Sequence, residues 1–244
     1  MTGDTVYNAV LTWIRKDSRG LSLTPDEFNT MTPLINRRIQ AHYAKDFEKD
    51  IENTTSIGFL KVLNYSLALT SGVASLPTNY YQHMGDPYYY DADGIRRNVD
   101  IVTSLENSFR EVDYLTKSTS KYPTCVIGGQ DGSGVMQISV YPTTLTTIYL
   151  NYLRDADTPF LDYYINNSTK VITYLTEGQT TTLTSAYTYR TGTSGAITSS
   201  TVDWEWSYDD LPLIIAYFLS ALGGIIPDEL LTQIATLDKA DISR

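Results

Sequence analysis

VDWEWSYDDLPLIIAYFLSALGGIIPDELL, residues 202–231, is where the chain returns to helix. Leu213, Ile214, Tyr217, Phe218 and Leu222 recur at helical spacing, Ser207 can cap the segment, and Gly223 and Gly224 can end it. Pro227 then opens a second helical pattern. Asp228 and Glu229 in its first turn favour the helix dipole, and Leu230, Leu231, Ile234 and Leu237 form its stripe. The apolar run over 211–226 contains Pro212 and the two glycines and falls short of the ~20 residues that span a bilayer. It therefore predicts a buried core helix and no membrane partner.

The N-terminal region has the same character. Val6, Val10, Trp13 and Ile14 predict a helix over 4–17. TPDE at 24–27 is a capping box with proline at the first helical position, and Thr32 with Pro33 is read as a second start of the same kind. Leu34, Ile35, Ile39, Tyr43 and Phe47 make one face, and a further short helix is expected near 57–63. Neither end of the chain buries its stripes alone, so the two ends are expected to pack together.

Between them the period changes. YSLALTSGVASLP (65–77) alternates, and NVDIV (98–102), PTCVIGG (123–129), GVMQISVYP (134–142) and TTIYLNYLR (146–154) read as strands joined by glycine and proline turns. Residues 80–84 are read as one helical turn, 86–94 as a loop or tight hairpin, and Thr103 with Glu106 as the start of a short helix. Residues 166–202 are threonine-rich strands, with TGTSGAITSS (191–200) as a loop tip. The expected fold class is α+β. A helical bundle formed from both termini, 1–64 plus 207–244, carries an inserted antiparallel β-sandwich-like domain, 65–206.

Composition narrows the function classes. The net charge is −10, which does not suit a free-standing nucleic-acid binder whose affinity comes from phosphate neutralisation. The basic pairs Arg15/Lys16, Arg37/Arg38 and Arg96/Arg97 are isolated. Cys125 is the single cysteine, so no intrachain disulfide framework forms, as in a reducing cytoplasm. MTGDTV lacks the pattern of a secretory signal. Tyrosine is abundant at 20 residues, and it serves equally as a strand residue and as an interface residue.

The search for chemistry returns no catalytic constellation and no metal set. His42 and His83 are far apart, and one cysteine gives no zinc spacing. GGQDGSGVM (128–136) lacks the lysine and hydroxyl of a phosphate loop and reads as a hairpin. DADG (91–94) lacks the ligand count of a calcium loop and reads as a polar turn. Asp203, Glu205, Asp209 and Asp210 flank Trp204 and Trp206 as acidic residues at a helix start do. The one enzymatic alternative is the tyrosine-rich 80–93 loop. Its rings could stack sugars while two of Asp86, Asp91 and Asp93 act as acid and base, a carbohydrate-binding or glycan-degrading module.

Taken as an ordered set, three segments resemble the head-to-tail adaptor (connector) proteins of tailed bacteriophages, in particular the tail-tubular-A and P22-type group of short-tailed phages and the ring proteins of crAss-like phages. A helical region leads into GVASLPTNYY (72–81). A β middle contains VYPTTLTTIYLNYLRDADTPF (140–160), with Tyr152-Leu153-Arg154 in place of the usual Tyr-Arg step. VDWEWSYDDLPLIIAYFLSALG (202–223) is an acidic-aromatic step into an apolar helix. The resemblance implies a non-enzymatic virion protein of the neck or tail, without cofactor, assembled in the bacterial host cytoplasm. It implies a closed ring, commonly twelvefold, docked beneath the portal protein and against other tail or ring proteins. Genomic DNA would pass through the lumen without sequence-specific binding. On this reading Leu230, Leu231, Ile234, Leu237 and Ile242 contact the portal or a neighbour, and Tyr80, Tyr81, Tyr88, Tyr89 and Tyr90 lie between subunits.

Overall fold

A computed structural model describes residues 1–16, 23–45, 57–192 and 194–223. The fold is mixed α+β, and the chain divides into two compact units: residues 57–155, and residues 1–56 with 156–244. These divisions differ from the expected ones at 64/65 and 206/207. The first strand already begins at Lys61 and pairs with Leu153, which places the two ends of the 57–155 unit side by side, and the strands after residue 160 belong with the helices.

In the unit containing the termini, α1 (Gly3–Lys16) and α2 (Pro25–Ala44) both pack on α4 (Leu211–Ala221). Val6, Val10 and Ile14 are buried, Phe28 stacks on Phe218 with ring centroids 4.8 Å apart, and Trp204 meets Phe218 edge-on. The capping box forms as expected: the Thr24 side chain accepts from the Glu27 N–H, and Glu27 Oε2 accepts from the Thr24 N–H at 2.7 Å. Pro33, by contrast, starts no new helix. α2 runs through it, although an interior proline costs about 3 kcal/mol, because the helix buries Phe28, Ile35 and Ile39 on both sides of it.

The buried face of α2 is also more polar than expected. Leu34 is exposed, while Asn36 and Gln40 are buried. The reason lies in the extended segment beside the helix. Asn29 both donates to the Leu161 carbonyl and accepts from its N–H, at 2.8 and 2.9 Å. Asn36 donates to the Ala156 and Asp157 carbonyls and accepts from the Trp206 indole, and Gln40 accepts from the Ala156 N–H. Amides on this face supply the backbone partners that an extended segment against a helix otherwise lacks. α4 begins after Asp210, one turn later than a Ser207 cap requires. Asp210 accepts from the Ser207 N–H and hydroxyl instead, and Gly223 at φ +73 ends the helix as expected.

The same unit carries β10 (Tyr163–Asn166), β11 (Ile172–Tyr174), β12 (Thr180–Leu183), β13 (Tyr187–Tyr189) and β14 (Gly195–Thr198). These make a β11-β10-β13 sheet and a β12-β14 pair, both antiparallel. β14 forms where a loop tip was expected, since its alternation finds a partner in 180–183.

The 57–155 unit holds two sheets around one core. Its strands are β1 (Lys61–Ala68), β2 (Val73–Ser75), β3 (Tyr80–His83), β4 (Tyr88–Tyr90), β5 (Arg96–Asn98), β6 (Asp100–Ile101), β7 (Thr124–Gln130), β8 (Met136–Tyr141) and β9 (Thr147–Arg154). One sheet runs β1-β9-β4-β5, with β3 also on β9; the other runs β2-β8-β7-β6. Leu67, Ile148, Leu150 and Tyr152 from the first sheet meet Ala74, Cys125, Ile138 and Val140 from the second. The sheets are not wholly antiparallel as expected, because β6 pairs with β7 in parallel after the α3 (Ser104–Val112) crossover. Residues 80–84 form no helical turn: β3 is held in extended form by its pairing with 152–154 on β9. The short helix expected near 57–63 is a single 3-10 turn at Gly58–Leu60 before β1.

Candidate functional site

The tyrosines expected to lie between subunits do not form one surface. Tyr88 and Tyr89 on β4 are buried within the 57–155 unit. The Tyr88 hydroxyl donates to Asn64 Oδ1 at 2.6 Å, its ring stacks on Tyr149 at 5.2 Å, and the Arg96 guanidinium sits 3.9 Å from the ring centre. The Tyr89 hydroxyl donates to the Ser120 carbonyl. Tyr80 and Tyr81 are half-buried on β3, and burial pushes the Tyr80 phenol up to about 12. Of these five, Tyr90 alone is exposed, at 52%. Tyr89 belongs to the core of the unit, and the Tyr88 ring is covered by Tyr149 and Arg96, which takes both rings out of reach of a neighbour.

Tyr90 borders an open cleft of about 570 Å³. Asp91, Asp93, Arg97, Lys121, Thr144, Thr146 and Tyr149 line it with Tyr90, and Tyr149 meets Tyr90 edge-on at 5.6 Å. Asp91 closes the β4–β5 hairpin. Its Oδ1 accepts the Ile95 and Asp93 N–H groups at 2.8 and 3.1 Å, and its Oδ2 accepts from Arg97 Nε at 2.9 Å. The Ile95 N–H first, and then Arg97, hold this carboxyl below the usual aspartate range. A carboxyl kept ionised in this way is unsuited to donate a proton to a leaving group, which needs a raised pKa. Asp86, the third carboxylate of the glycan-degrading alternative, does not line the cleft.

Asp131 uses the same turn in GGQDGSGVM, which forms the β7–β8 hairpin as expected. Its Oδ1 accepts the Ser133 and Val135 N–H groups at 2.8 and 3.0 Å. The Trp-flanking carboxylates are likewise engaged. Asp203 accepts from the Gly3 N–H at the start of α1, and Glu205 accepts from the Asp157 N–H. Cys125 is fully buried, and its thiol is pushed up to about 12 by that burial and by the charges of Asp86 and Asp100. Among the described residues no group of three or more His, Cys, Asp or Glu side chains is placed to hold a metal ion. Among the same residues, no helix is long and apolar enough to cross a membrane.

The surface that sequence reasoning did not find is α3. Thr103 caps it, accepting from the Glu106 N–H as expected. Its packing is inverted for a helix of a lone globular chain. The inward side carries Asn107, Arg110 and Glu111, with Asn107 accepting from the Thr124 hydroxyl at 3.2 Å and Glu111 from the Ser118 N–H. The outward side carries Leu105, Phe109 and Val112. Tyr114, Leu115 and Tyr122 extend the exposed apolar set beyond the helix. The expected contact residues Leu230, Leu231, Ile234, Leu237 and Ile242 lie outside the described residues. No protein-family model and no curated protein matches this sequence.

Proposed function

We propose that this chain is a non-enzymatic structural subunit of a tailed-phage virion, a head-to-tail adaptor. Copies close into a ring, docked beneath the portal and forming part of the DNA ejection channel. In this reading the helices of both termini act as one bundle that carries the β unit as an insert. The observation that supports it most is the α3 face: Leu105, Phe109 and Val112 stand in solvent while polar residues face inward, the arrangement of an assembly surface rather than of a monomer. The order of helical, β and returning helical segments that resembles the adaptor group supports it further. The net charge of −10 suits a channel that passes DNA without holding it. Negative-stain imaging and sedimentation of the purified chain, alone and with a portal ring, test the proposal. Closed rings, or a stoichiometric complex with the portal, are the expected result. A chain that stays monomeric at high concentration and ignores the portal overturns it.

The cleft beside Tyr90 favours a second reading, a carbohydrate-binding module. An exposed ring and balanced charges from Asp91, Asp93, Arg97 and Lys121 suit a neutral, hydroxyl-rich ligand. Saccharide binding that is lost in Tyr90→Ala, in a chain that forms no rings, would replace the adaptor reading with this one.

A further inference from the structure

Leu105, Phe109, Val112, Tyr114, Leu115 and Tyr122 are each between 68% and 91% exposed. Together they present on the order of 800 Å² of side-chain surface, about what one partner contributes to a standard protein interface. A groove of about 630 Å³ runs along α3 past Leu105 and Phe109. The first three side chains stand at i, i+4 and i+7. The chain contains a second stripe with that spacing beyond the described residues: Leu230, Ile234 and Leu237. A stripe with this spacing is the apolar face by which an amphipathic helix packs ridge-into-groove on another.

We infer that residues 227–244 of one copy dock on the α3 face of the next copy. This rests on the ring reading and deepens it. A ring needs two different complementary patches on every chain, one offered to each neighbour, because a heterologous contact closes only by head-to-tail repetition. The α3 face is the receiving patch and the C-terminal stripe is the offered one. The charged residues lining the receiving groove are Glu106, Arg110 and Asp113, so the fit rests on the apolar stripes and not on charge.

The test uses full-length chains of two lengths, one tagged. One carries Phe109→Cys and the other Ile234→Cys, mixed and treated with a short bis-maleimide; the buried Cys125 stays out of the reaction. The expected product is a cross-linked pair joining one chain of each length. Leu105→Glu with Phe109→Glu should raise the concentration for half-association by about tenfold or more and leave the thermal midpoint unchanged, because both positions are exposed. Deletion of 227–244 should have the same effect, and the combination should be no worse than either alone. Rings that form without any cross-link overturn the inference and leave the ring reading standing. A chain carrying both cysteines that cross-links only within itself also overturns it, since the segment then folds onto its own copy. No association at high concentration, alone or with a portal ring, overturns both.

Discussion

Gly72 stands at φ +81 in the turn before β2, and its carbonyl accepts the Val140 N–H at 2.7 Å. A Cβ there would lie 2.7 Å from the Val140 carbonyl oxygen and 2.9 Å from Thr143 Cγ2. Gly72→Ala should therefore lower stability by about 2–4 kcal/mol, the sum of a left-handed backbone and overpacking against main chain. Denaturant unfolding measures it, and a loss under about 1 kcal/mol would show that the β2–β8 contact yields. Asp162 is the second position where one side chain fixes much around it. It is fully buried, accepts from Arg190 Nε at 2.7 Å, from the Ser200 N–H at 2.8 Å and from the Tyr189 hydroxyl. Asp162 Oδ1 also accepts from the Tyr163 N–H at 3.0 Å, so Asp162→Ala takes this acceptor from the guanidinium and three further donors and should cost about 3 kcal/mol. Asp162→Asn, which keeps an acceptor, should cost less. Equal unfolding midpoints for the two variants would refute this account.

At the scale of elements, the hairpins β4–β5 and β7–β8 are closed by the same device, an aspartate whose Oδ1 takes the N–H groups two and four residues on. The Ile95 N–H and then Arg97 lower Asp91, and the Val135 and Ser133 N–H groups lower Asp131. Because the folded carboxyls titrate below their unfolded value, the stabilisation is present above that value, about pH 4, and fades as pH falls through the folded one. The Ile95 and Val135 amide resonances should shift together with protonation at low pH. Asp91→Asn should abolish the transition at Ile95 alone. A transition that persists in that variant would place its origin elsewhere. Both turns were legible in sequence as polar hairpins, because aspartate and glycine at fixed offsets encode the geometry locally. The α3 face was not. SLENSFREV is amphipathic in either reading, and only the position of Thr124 and Ser118 beneath Asn107 decides which side faces in.

For the whole molecule, the 57–155 unit has a continuous core of its own, and its ends meet where Lys61 pairs with Leu153. A fragment of residues 57–155 should therefore fold by itself and unfold cooperatively. Circular dichroism and a thermal melt check it; a fragment without a cooperative transition would show that the unit depends on the rest of the chain.

The sequence by itself determined the elements whose signals are local. These are α1, α2 and its capping box, α4 with its glycine stop, α3 with its threonine cap, and most strands with their turns. It also determined the α+β class, since helical and alternating periods follow from where apolar residues recur. Tertiary structure alone decided what depends on distant partners. The 80–84 stretch became a strand because β9 was there to pair with it, and Pro33 stayed inside a helix because burial on both sides outweighed its cost. Tyr88 and Tyr89 were drawn inward while Tyr90 was left at the mouth of a cleft shared with Tyr149, fifty-nine residues away. Periodicity tells which residues share a face. Which faces meet, and which are left for another molecule, is set by long-range packing that no local pattern contains.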